Sequence, residues 1–581
     1  MSSQDSVNAD SSTIDSIVTV DFLVAGSGAG ALTGAIRAHD LGLNTLVVEK
    51  SAFYGGTSAM SGGSIWIPNN HLMPAAGVAD SDAEALAYLQ ALTKGVVEEA
   101  RLRMFIRKGA EMLKYLEDRG DLQCDALPKY SDYYPNEPGA KPGARTLEAR
   151  RFSTLKLGWD LRQLRPPHPA CVTFGLFHMS AADAYLAVRG DWRVYLTMIK
   201  NAALYFAGFP LRLIAPRSTR VTLGNALVAP LRLALKKRKV PLWLNSPAKE
   251  LLVDNGRVVG AIVERNGKRI TVHARHGVLL GTGGFENNPV LRQRYLPKPT
   301  STDWSAANKH NTGDALAMAE PLKPALALMD DAWWSPGAVV PGSAPGHVLV
   351  FEKGMPHSMF VNSQGERFTN EAAPYIDVVN GMYANHKAGE GERSAVPCWM
   401  IFDARYRRKT AIAGAIYPST MMPDSMVPAR YWNSLIYKGD TLSALAHQIG
   451  IDAQNLQRSV FRFNRFAQTG VDEDFGRGGN PSDNYYSDLS CKPNPNLGAL
   501  ETGPFYAMPV VAGDIGIKGG LLTDADARVL REDGSVIEGL YACGNCSAAV
   551  MGHSYAGAGS TLGPAMAFGF VAAETAASIS L

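Results

Sequence analysis

The stretch Val24-Ala25-Gly26-Ser27-Gly28-Ala29-Gly30-Ala31 decides the fold of this chain of 581 residues. Apolar residues 18–25 lead into the glycines, and apolar residues at helical spacing follow them over 32–43. This order predicts a strand, a tight turn and a helix. Gly26, Gly28 and Ala31 occupy the positions where a Rossmann turn bends sharply, approaches a pyrophosphate and packs its helix closely. We therefore expect a bound dinucleotide, with its phosphates at the helix N-terminus, where free N–H groups favour an anion.

An acidic residue and a loop of small residues extend this site. A second apolar segment, residues 44–49, ends in Glu49, about 20 residues beyond the glycines, which is the spacing of a carboxylate that binds ribose hydroxyls. Glu49 is therefore the predicted ribose ligand. Glycine, serine and threonine crowd residues 50–63. Such a loop offers bare backbone to a large ring system and argues against a nicotinamide.

Length and composition indicate a globular protein of two domains. Hydrophobic residues make up 46% of the chain and charged residues 19%, and single cores stop growing at about 250–300 residues. The net charge of +3, from 57 basic and 54 acidic residues, gives no reason to expect nucleic acid as a partner. Six scattered cysteines argue against a disulfide framework and favour a reducing compartment. Cys543 and Cys546 form a C-x-x-C without a second pair at zinc spacing, so no metal site is predicted.

The start of the chain has the composition of a disordered tail. Residues 1–17 are rich in serine and aspartate and contain neither an apolar core nor a cationic start. This pattern predicts no signal peptide and no twin-arginine signal. Together with the cysteine usage, it predicts a cytoplasmic protein.

Three further glycine motifs place the chain in a known family. They are Gly281-Thr282-Gly283-Gly284-Phe285 after an apolar strand, Thr312-Gly313-Asp314 at the start of a helix, and Gly539-Leu540-Tyr541-Ala542-Cys543-Gly544-Asn545. With the loop at 55–63, these motifs resemble the flavoprotein family that contains fumarate reductase and the 3-ketosteroid dehydrogenases. The resemblance covers nearly the whole chain, from about residue 18 to 580. It implies FAD as the cofactor and an α/β fold, in which a Rossmann-like FAD-binding domain carries an inserted α+β catalytic (cap) domain.

The resemblance also implies the domain limits and the residues that contact FAD. The expected FAD-binding parts are residues 18–340 and 514–581, and the catalytic domain is expected over 341–513. No histidine stands between residues 55 and 64, where related dehydrogenases attach flavin covalently, so we expect noncovalent FAD. The expected FAD contacts are Gly26, Ser27, Gly28, Ala29, Gly30, Ala31, Glu49, Lys50, Gly55, Gly56, Thr57, Ser58, Ser61, Gly62, Gly63, Ala248, Thr282, Gly283, Gly284, Asp314, Gly544, Asn545, Gly559, Thr561 and Leu562.

A second glycine-rich stretch, residues 552–559, resembles the segment of 3-ketosteroid Δ1-dehydrogenases that grips the substrate carbonyl. In that segment a tyrosine hydroxyl and a glycine N–H four residues later bind the C3 oxygen, and these positions are Tyr555 and Gly559 here. Two donors aimed at an oxygen that becomes enolate-like stabilise the developing charge. Ala556 and Ala558 stand where the family's usual residues differ, Ala556 replacing a proline. Those changes leave both donors in place and can widen the pocket.

The same resemblance implies that tyrosines remove the proton. Tyr134 matches the family's tyrosine that assists a second phenol, and this second phenol, the base, is expected after Asn370-Glu371. Tyr375 and Tyr383 both follow that pair, and the chain spacing to Tyr555 favours Tyr383 as the base, with Tyr375 as the alternative. A phenol with a pKa near 10 needs hydrogen bonds or nearby positive charge to act as a base at neutral pH.

These residues predict an FAD-dependent 1,2-dehydrogenation of 3-ketosteroids, in which a proton leaves C2 and a hydride leaves C1. The predicted partners are the 3-ketosteroid and an electron acceptor such as a quinone. A Δ4-(5α) 3-ketosteroid dehydrogenase is the nearest alternative, because it shares fold and cofactor. A flavoprotein electron-transfer subunit of a membrane-bound complex is the alternative from a different class. The apolar and aromatic stretch after Glu371 suits a steroid better than a dicarboxylate.

An insertion at about residues 150–218 departs from the family pattern. It contains the apolar run 202–209, flanked by Lys200 and Arg212, which is far shorter than the ~20 residues that a membrane span needs. An aromatic and apolar segment with basic flanks suits a membrane interface, and it equally suits a lid over the substrate cleft. Both interpretations stay open. The first predicts peripheral attachment to the inner face of the membrane and uptake of poorly soluble sterols such as cholest-4-en-3-one.

Overall fold

The computed structural model describes residues 14–173, 175–189, 191–209, 218–386 and 393–579. The strands are β1 Ile14–Ala25, β2 Thr45–Val48, β3 Ile65–Trp66, β4 Cys124–Ala126, β5 Thr146–Ala149, β6 Phe152–Ser153, β7 Val172–Thr173, β8 Phe177–His178, β9 Arg220–Val221, β10 Leu242–Trp243, β11 Ala248–Asp254, β12 Arg257–Arg265, β13 Lys268–Leu280, β14 Leu326–Ala327, β15 Ala332–Ala338, β16 His347–Val348, β17 Ser358–Val361, β18 Cys398–Phe402, β19 Tyr437–Gly439, β20 Phe505–Ile517, β21 Gly520–Leu521, β22 Arg528–Leu530 and β23 Val536–Ala542.

The helices alternate with these strands along the chain. They are α1 Ala29–Asp40, α2 Gly56–Met60, α3 Asp82–Thr93, α4 Glu99–Asp118, α5 Ala181–Val188, α6 Arg193–Ala207, α7 Leu223–Lys237, α8 Pro289–Tyr295, α9 Asp314–Ala319, α10 Tyr375–Asn385, α11 Ala404–Lys409, α12 Leu442–Ile449, α13 Ala453–Thr469 and α14 Leu562–Ser578.

The first large sheet is the predicted Rossmann-like sheet. Its strand order is β10-β2-β1-β13-β12-β11, and β23 joins the end of β13. Strands β10, β2, β1, β13 and β23 pair in parallel, whereas β12 and β11 form an antiparallel hairpin whose turn is Asn255-Gly256. The C-terminal end of β1, residues 22–24, is fully buried, as expected for a parallel strand covered on both faces. Helix α1 follows β1 directly and packs against α14, so both ends of the chain meet at the cofactor loop.

Gly26 shows why the turn after β1 needs glycine. Its φ is +106°, and a Cβ at this position would lie 2.2 Å from the carbonyl oxygen of Gly281. A side chain would therefore both strain the backbone and push β1 away from the end of β13. Because β1 and β13 end so close together, the loops that follow them lie side by side.

The second large sheet is antiparallel and belongs to the cap. Its order is β16-β15-β20-β18-β17, with β19 also paired to β20. Helix α10 packs against β15, and helices α12 and α13 pack together on the far side of the cap. The α/β fold class with a Rossmann-like domain and an α+β cap is confirmed.

The predicted segment limits and the sheets differ in three places. β15 lies before the predicted limit at 340, yet it pairs with β20 in the cap sheet. β20 in turn continues to Ile517, past the predicted limit at 513, and Ile517 still pairs with Ala332 of β15 in the cap sheet. The first strand begins at Ile14, within the predicted tail of residues 1–17, because 14–20 pair with β13. Residues 1–13 lie outside the described residues.

The insertion forms a helical hairpin, α5 and α6, anchored on the loop that follows Glu49. The backbone N–H of Arg165 donates to the carbonyl of Tyr54, and the N–H of His168 donates to that of Met60. On α6, large apolar side chains face solvent along one stripe: Trp192 66%, Tyr195 64%, Leu196 56%, Ile199 66% and Phe206 63% exposed. We call these five residues the α6 stripe. The described part of the chain contains no helix whose length and apolar character would carry it across a bilayer.

Candidate active site

One cavity of about 1220 Å³ runs from the loop after β1 to the α5–α6 hairpin. Its inner part lies among the glycine-rich loops, its middle is walled by aromatic residues, and its outer end is bordered by α6 and by residues 408–421. The cavity therefore joins the predicted cofactor site to the predicted substrate site.

The inner part has the features that a bound dinucleotide needs. Gly28 caps α1 without a side chain, which leaves the helix N-terminus open to phosphate. A Cβ on Gly30 would lie 2.4 Å from the carbonyl oxygen of Ala565, so α1 and α14 approach too closely for a larger residue. The hydroxyl of Ser27 donates to the Glu49 carboxylate at 2.6 Å, and the N–H of Ser51 donates to its other oxygen at 2.9 Å. These bonds hold Glu49 at the end of β2, beside the phosphate site. The residues present fit FAD.

Most of the predicted cofactor residues border this cavity. They are Gly26, Ser27, Gly28, Ala29, Gly30, Ala31, Glu49, Lys50, Gly56, Thr57, Ser58, Ser61, Gly62, Gly63, Ala248, Thr282, Gly283, Asp314, Gly544, Asn545, Gly559, Thr561 and Leu562. Gly55 and Gly284 are absent from the lining, and each acts through its backbone. The N–H of Gly55 donates to Ser27 Oγ at 3.0 Å, and the carbonyl of Gly284 accepts from Gly313 N–H at 3.0 Å.

Sequence reasoning missed a polar segment that also borders the cofactor part. Asn308, His310 and Asn311 line the cavity, and both the N–H of Asn308 and the side chain of Asn311 donate to Thr57 Oγ1, at 3.1 and 3.0 Å. The polar run 308–311 directly before Thr312-Gly313-Asp314 was the available signal.

Three tyrosines meet at the aromatic part of the cavity. The ring centroids of Tyr133 and Tyr555 are 5.3 Å apart, those of Tyr133 and Tyr375 are 5.9 Å apart, and those of Tyr375 and Tyr555 are 6.4 Å apart. All three rings line the cavity together with Tyr130. Residues from three distant parts of the chain thus place their phenols around one space.

Tyr555 and Gly559 stand together as predicted. Gly559 has a φ of +100°, and a Cβ there would lie 2.6 Å from the backbone of Ile65, so only glycine fits. Burial and the neighbouring Tyr375 raise the pKa of Tyr555, while hydrogen bonds involving the Thr561 side chain and the Gly559 backbone oppose that rise. Because its pKa is raised, Tyr555 stays protonated and can donate a hydrogen bond into the cavity.

The structure does not bring Tyr383 and Tyr134 to the cavity, and the preference for these two residues is corrected. Tyr383 packs its ring on Trp334 and donates its hydroxyl to the carbonyl of Pro299 at 3.1 Å. The Tyr134 hydroxyl donates to Asp377 at 3.1 Å. Neither side chain lines the cavity. Tyr375, the alternative base, begins α10 and does line it, whereas Tyr383 lies two turns further along the same helix. The neighbour Tyr133 occupies the place expected for Tyr134.

The pKa of Tyr375 reflects a balance between burial and neighbouring hydroxyls. Burial raises the pKa of Tyr375 to about 12, while hydrogen bonds from Tyr133 and Tyr130 lower it. Burial and the charges of Tyr375 and Tyr555 raise the pKa of Tyr133 well above its ordinary value. Of these three phenols, Tyr375 is the one whose pKa burial raises least.

A buried ionic network fixes the start of α10. The ammonium of Lys353 donates to the carbonyls of Glu371 and Ala373, at 3.0 and 2.5 Å, and lies 5.3 Å from the ring centroid of Tyr375. Burial lowers the pKa of Lys353 to about 8. Glu371 accepts hydrogen bonds from Arg367 and from Arg477, and its pKa is held low by these guanidinium groups against the effect of burial. The Asn370-Glu371 motif thus anchors the loop that presents Tyr375.

The cysteines of the C-x-x-C motif lie in the protein interior. Cys543 and Cys546 are free and buried, and Cys546 donates its thiol to the carbonyl of Leu280 at 3.1 Å. Among the described residues, no group of three or more histidine, cysteine, aspartate or glutamate side chains is arranged to hold a metal ion.

The fold and this site define a flavoprotein. The family described as "FAD binding domain" matches residues 21–562, so the chain binds FAD, as predicted. The 3-oxosteroid 1-dehydrogenase of Mycolicibacterium smegmatis is 42% identical over 564 residues, which cover 95% of this chain and 96% of that protein. The 3-oxosteroid 1-dehydrogenase of Comamonas testosteroni is 40% identical over 559 residues, 95% of each chain.

A solved structure agrees over the same length. The crystal structure of the 3-ketosteroid delta1-dehydrogenase from Sterolibacterium denitrificans, in complex with 1,4-androstadiene-3,17-dione, has a TM-score of 0.92 and 46% identity, and the match covers 96% of this chain and 99% of that one. The chain belongs to the family of the FAD-dependent 3-oxosteroid 1-dehydrogenases. The resemblance stated from the sequence is confirmed.

Proposed function

We propose that this chain is an FAD-dependent dehydrogenase that introduces a double bond between C1 and C2 of 3-ketosteroids. The observation that carries this proposal is the meeting of Tyr375, Tyr133, Tyr555 and Gly559 around one space that opens onto the FAD site. Names of close relatives support the same reaction.

In this scheme, two hydrogen-bond donors hold the C3 carbonyl of the steroid. Tyr555 donates its hydroxyl and Gly559 its backbone N–H to the C3 oxygen. Because charge grows on that oxygen as C2 loses a proton, these two donors stabilise the transition state more than the ground state. The raised pKa of Tyr555 keeps its proton in place during this step.

Tyr375 acts as the base. Its phenolate takes a proton from C2, and Tyr133 and Tyr130 stabilise that phenolate by hydrogen bonds. FAD, when bound, accepts the hydride and its two electrons from C1. The C1–C2 double bond forms from the electron pair of the broken C2–H bond, and Tyr375 holds the proton. The aromatic wall excludes water, which keeps these charges and the hydride from solvent.

The electron acceptor and the membrane contact belong to the same proposal. A reduced flavin has to pass on two electrons, and an apolar acceptor such as a quinone can reach it through the outer end of the cavity. Tyr195 lies both in the α6 stripe and in the cavity lining, so an α6 stripe resting in the membrane interface would open the cavity to lipid-dissolved molecules. The enzyme would then be a cytoplasmic protein attached to the inner face of the membrane.

Product analysis tests the reaction. Purified enzyme with an artificial dye as acceptor should convert 4-androstene-3,17-dione into the 1,4-diene, and NMR of the product locates the new double bond. A dehydrogenase that acts on C4 and C5 would leave this substrate unchanged and would oxidise its 5α-reduced form. Absence of turnover by the purified chain would favour the electron-transfer subunit.

Tyr555→Phe should lower turnover by ~10²–10³ with FAD retained, as expected when one donor to a developing oxyanion is lost.

A further inference from the structure

Two arginines at the outer end of the cavity take no part in this mechanism. Arg189 directly follows α5, Arg408 lies in α11, and both line the cavity. Lys409 lines it as well, but it pairs with Asp488 at 2.7 Å. The carboxylate of Glu352, which also lines the cavity, faces His347 at 3.1 Å. Asp488 and Glu352 thus each contact a neighbouring side chain, and the second oxygen of Glu352, Oε2, is buried without a hydrogen-bond partner among the described residues.

Arg189 is held in place without a carboxylate. Its Nη2 donates to the carbonyl of Asn484 at 3.1 Å, and its guanidinium lies 4.4 Å from the ring centroid of Tyr185. Within the described part of the chain, its Nε is buried and lacks a hydrogen-bond partner, and it forms no ion pair. A guanidinium that is partly withdrawn from water without a counter-ion is costly, and a bound anion would compensate for that cost.

Arg189 is connected to the residue that binds the substrate carbonyl by a series of aromatic contacts. A series of ring contacts leads from the carbonyl-binding Tyr555 to Arg189, and its steps are Tyr555–Tyr133 5.3 Å, Tyr133–Tyr130 6.3 Å, Tyr130–Tyr485 3.9 Å, Tyr485–Tyr185 4.7 Å and Tyr185–Arg189 4.4 Å. Arg189 is therefore connected to Tyr555 through consecutive ring contacts, and both residues line the same cavity. A rigid steroid whose C3 oxygen is bound by Tyr555 and Gly559 points its opposite end, which carries the side chain at C17, along the aromatic wall.

We propose that Arg189, with Arg408 beside the opening, binds a carboxylate at the end of the steroid side chain, so that the preferred substrates are 3-ketosteroid acids. The inference rests on the proposed function, because it assumes that the ketone is bound by Tyr555. A guanidinium matches a carboxylate through two parallel N–H donors, and the Arg189 guanidinium is bonded through Nη2 to a backbone carbonyl, which does not neutralise its charge. Phe351, Met355 and Tyr486 supply the apolar wall between the two polar ends.

Three substrates separate this proposal from the proposed function itself. They are a 3-oxo-4-ene steroid with a carboxylate at the end of its side chain, the methyl ester of the same acid, and 4-androstene-3,17-dione, which has no side chain. The assay uses the full-length, FAD-loaded enzyme in aqueous buffer without lipid. We expect kcat/KM for the acid to exceed that for the ester by about 10- to 100-fold, the range of a hydrogen bond to a charged group.

Variants assign the preference to the arginine. Arg189→Gln should remove the preference for the acid by raising its KM, while turnover of 4-androstene-3,17-dione stays unchanged, and Arg189→Lys should retain part of the preference. Arg193→Gln is the matched control, since Arg193 lies in the same insertion, is 64% exposed and pairs with Asp191. Equal kcat/KM for acid and ester would overturn the proposal, as would an equal loss on all three substrates in Arg189→Gln.

A lipid headgroup is the competing ligand for these cations. Vesicles with and without anionic phospholipid distinguish the two: if Arg189→Gln and Arg408→Gln weaken binding to anionic vesicles while the ratio of acid to ester is unchanged, the proposal is wrong. Failure of all three substrates, including the neutral diketone, would instead contradict the proposed function.

Discussion

The pKa of Tyr375 depends on the hydroxyls of Tyr133 and Tyr130, which lower it, and on burial, which raises it. We expect Tyr375→Phe to keep FAD and to lose turnover by ~10²–10⁴, the usual contribution of a positioned base. Tyr383→Phe is the matched control on the same helix: its hydroxyl donates to a backbone carbonyl outside the cavity, so its turnover should stay close to wild type. Stopped-flow measurement of flavin bleaching by substrate checks both. Collapse in Tyr383→Phe with normal rates in Tyr375→Phe would restore the original preference for Tyr383.

The contribution of Tyr133 should be measurable in the pH dependence of the rate of flavin reduction. Its hydroxyl lowers the pKa of Tyr375, which burial raises to about 12, so the reactive phenolate becomes more abundant as pH rises. In Tyr133→Phe the pKa of Tyr375 rises further, and the alkaline increase in the rate of flavin reduction moves to higher pH. Each unit of pKa rise lowers the rate at neutral pH about tenfold. A profile from about pH 6 to about pH 10 that is unchanged in Tyr133→Phe, while Tyr134→Phe shifts it, would contradict this assignment.

The sequence predicts Tyr555 and Gly559 as a pair, and both line the cavity, whereas Tyr375 and Tyr133 line it in place of the predicted Tyr383 and Tyr134. Tyr555 and Gly559 belong to one short motif, so their relative positions follow from the chain itself. Tyr133 and Tyr134 are neighbours in a loop, where Tyr133 lines the cavity and Tyr134 donates to Asp377, and a motif match cannot decide between two adjacent tyrosines. Tyr375 and Tyr383 differ by two helical turns, and only the packing of α10 on β15 decides which end meets the cavity. Arg189 carried no signal at all, because its role depends on where the α5–α6 hairpin rests.

At the scale of elements, the strand, turn and helix at residues 18–40 were predictable because glycine restrictions and periodicity act locally, whereas the start of the strand at residues 14–17 was not. The hairpin of β11 and β12 followed from Asn255-Gly256 for the same reason. The α5–α6 hairpin is different, since its apolar residues fit a lid and a membrane contact equally well in sequence. In the structure, Val194 and Met198 line the cavity, the α6 stripe is exposed, and Tyr195 of the stripe also borders the cavity.

The outward face of α6 yields a prediction about attachment. Exposed apolar side chains that enter an interface contribute several kcal/mol at roughly 25 cal/mol per Å² of buried area, enough for reversible binding. The double variant Ile199→Ser and Phe206→Ser should therefore move the enzyme from the membrane pellet to the supernatant and still turn over 4-androstene-3,17-dione. Phe461→Ser is the control, because Phe461 is 70% exposed on α13 in the cap.

Two results would defeat the membrane contact. One is a double variant that stays in the pellet, and the other is a wild type that stays in the supernatant with vesicles present. If the double variant loses FAD or its cooperative unfolding, α6 acts as part of the folded core and the lid interpretation is correct.

At the scale of the whole molecule, residues of both sheets line the cavity, among them Ala25 at the end of β1 and Ser335 of β15. The cofactor loops come from four distant segments, near residues 26, 57, 283 and 545, and they close only when both ends of the chain have packed, α1 against α14. FAD that contacts all four should therefore bind the folded protein and not the unfolded chain. Its binding adds to the free energy of unfolding by mass action.

This coupling predicts noncovalent FAD that stabilises the fold. Acid precipitation should release a flavin with the spectrum of FAD into the supernatant, because no histidine stands at residues 55–64 to attach it. Adding FAD at about 100 times its Kd to the stripped protein should stabilise it by ~2.7 kcal/mol and raise its Tm. Gly26→Ala should weaken FAD binding strongly, because the new Cβ would lie 2.2 Å from the carbonyl oxygen of Gly281. Gly42→Ala is the control for backbone strain alone, since Gly42 has a φ of +91° and a Cβ there would have no atom within 4 Å. Yellow colour that stays in the acid pellet, or equal FAD affinity in the two variants, would contradict this account of the cofactor site.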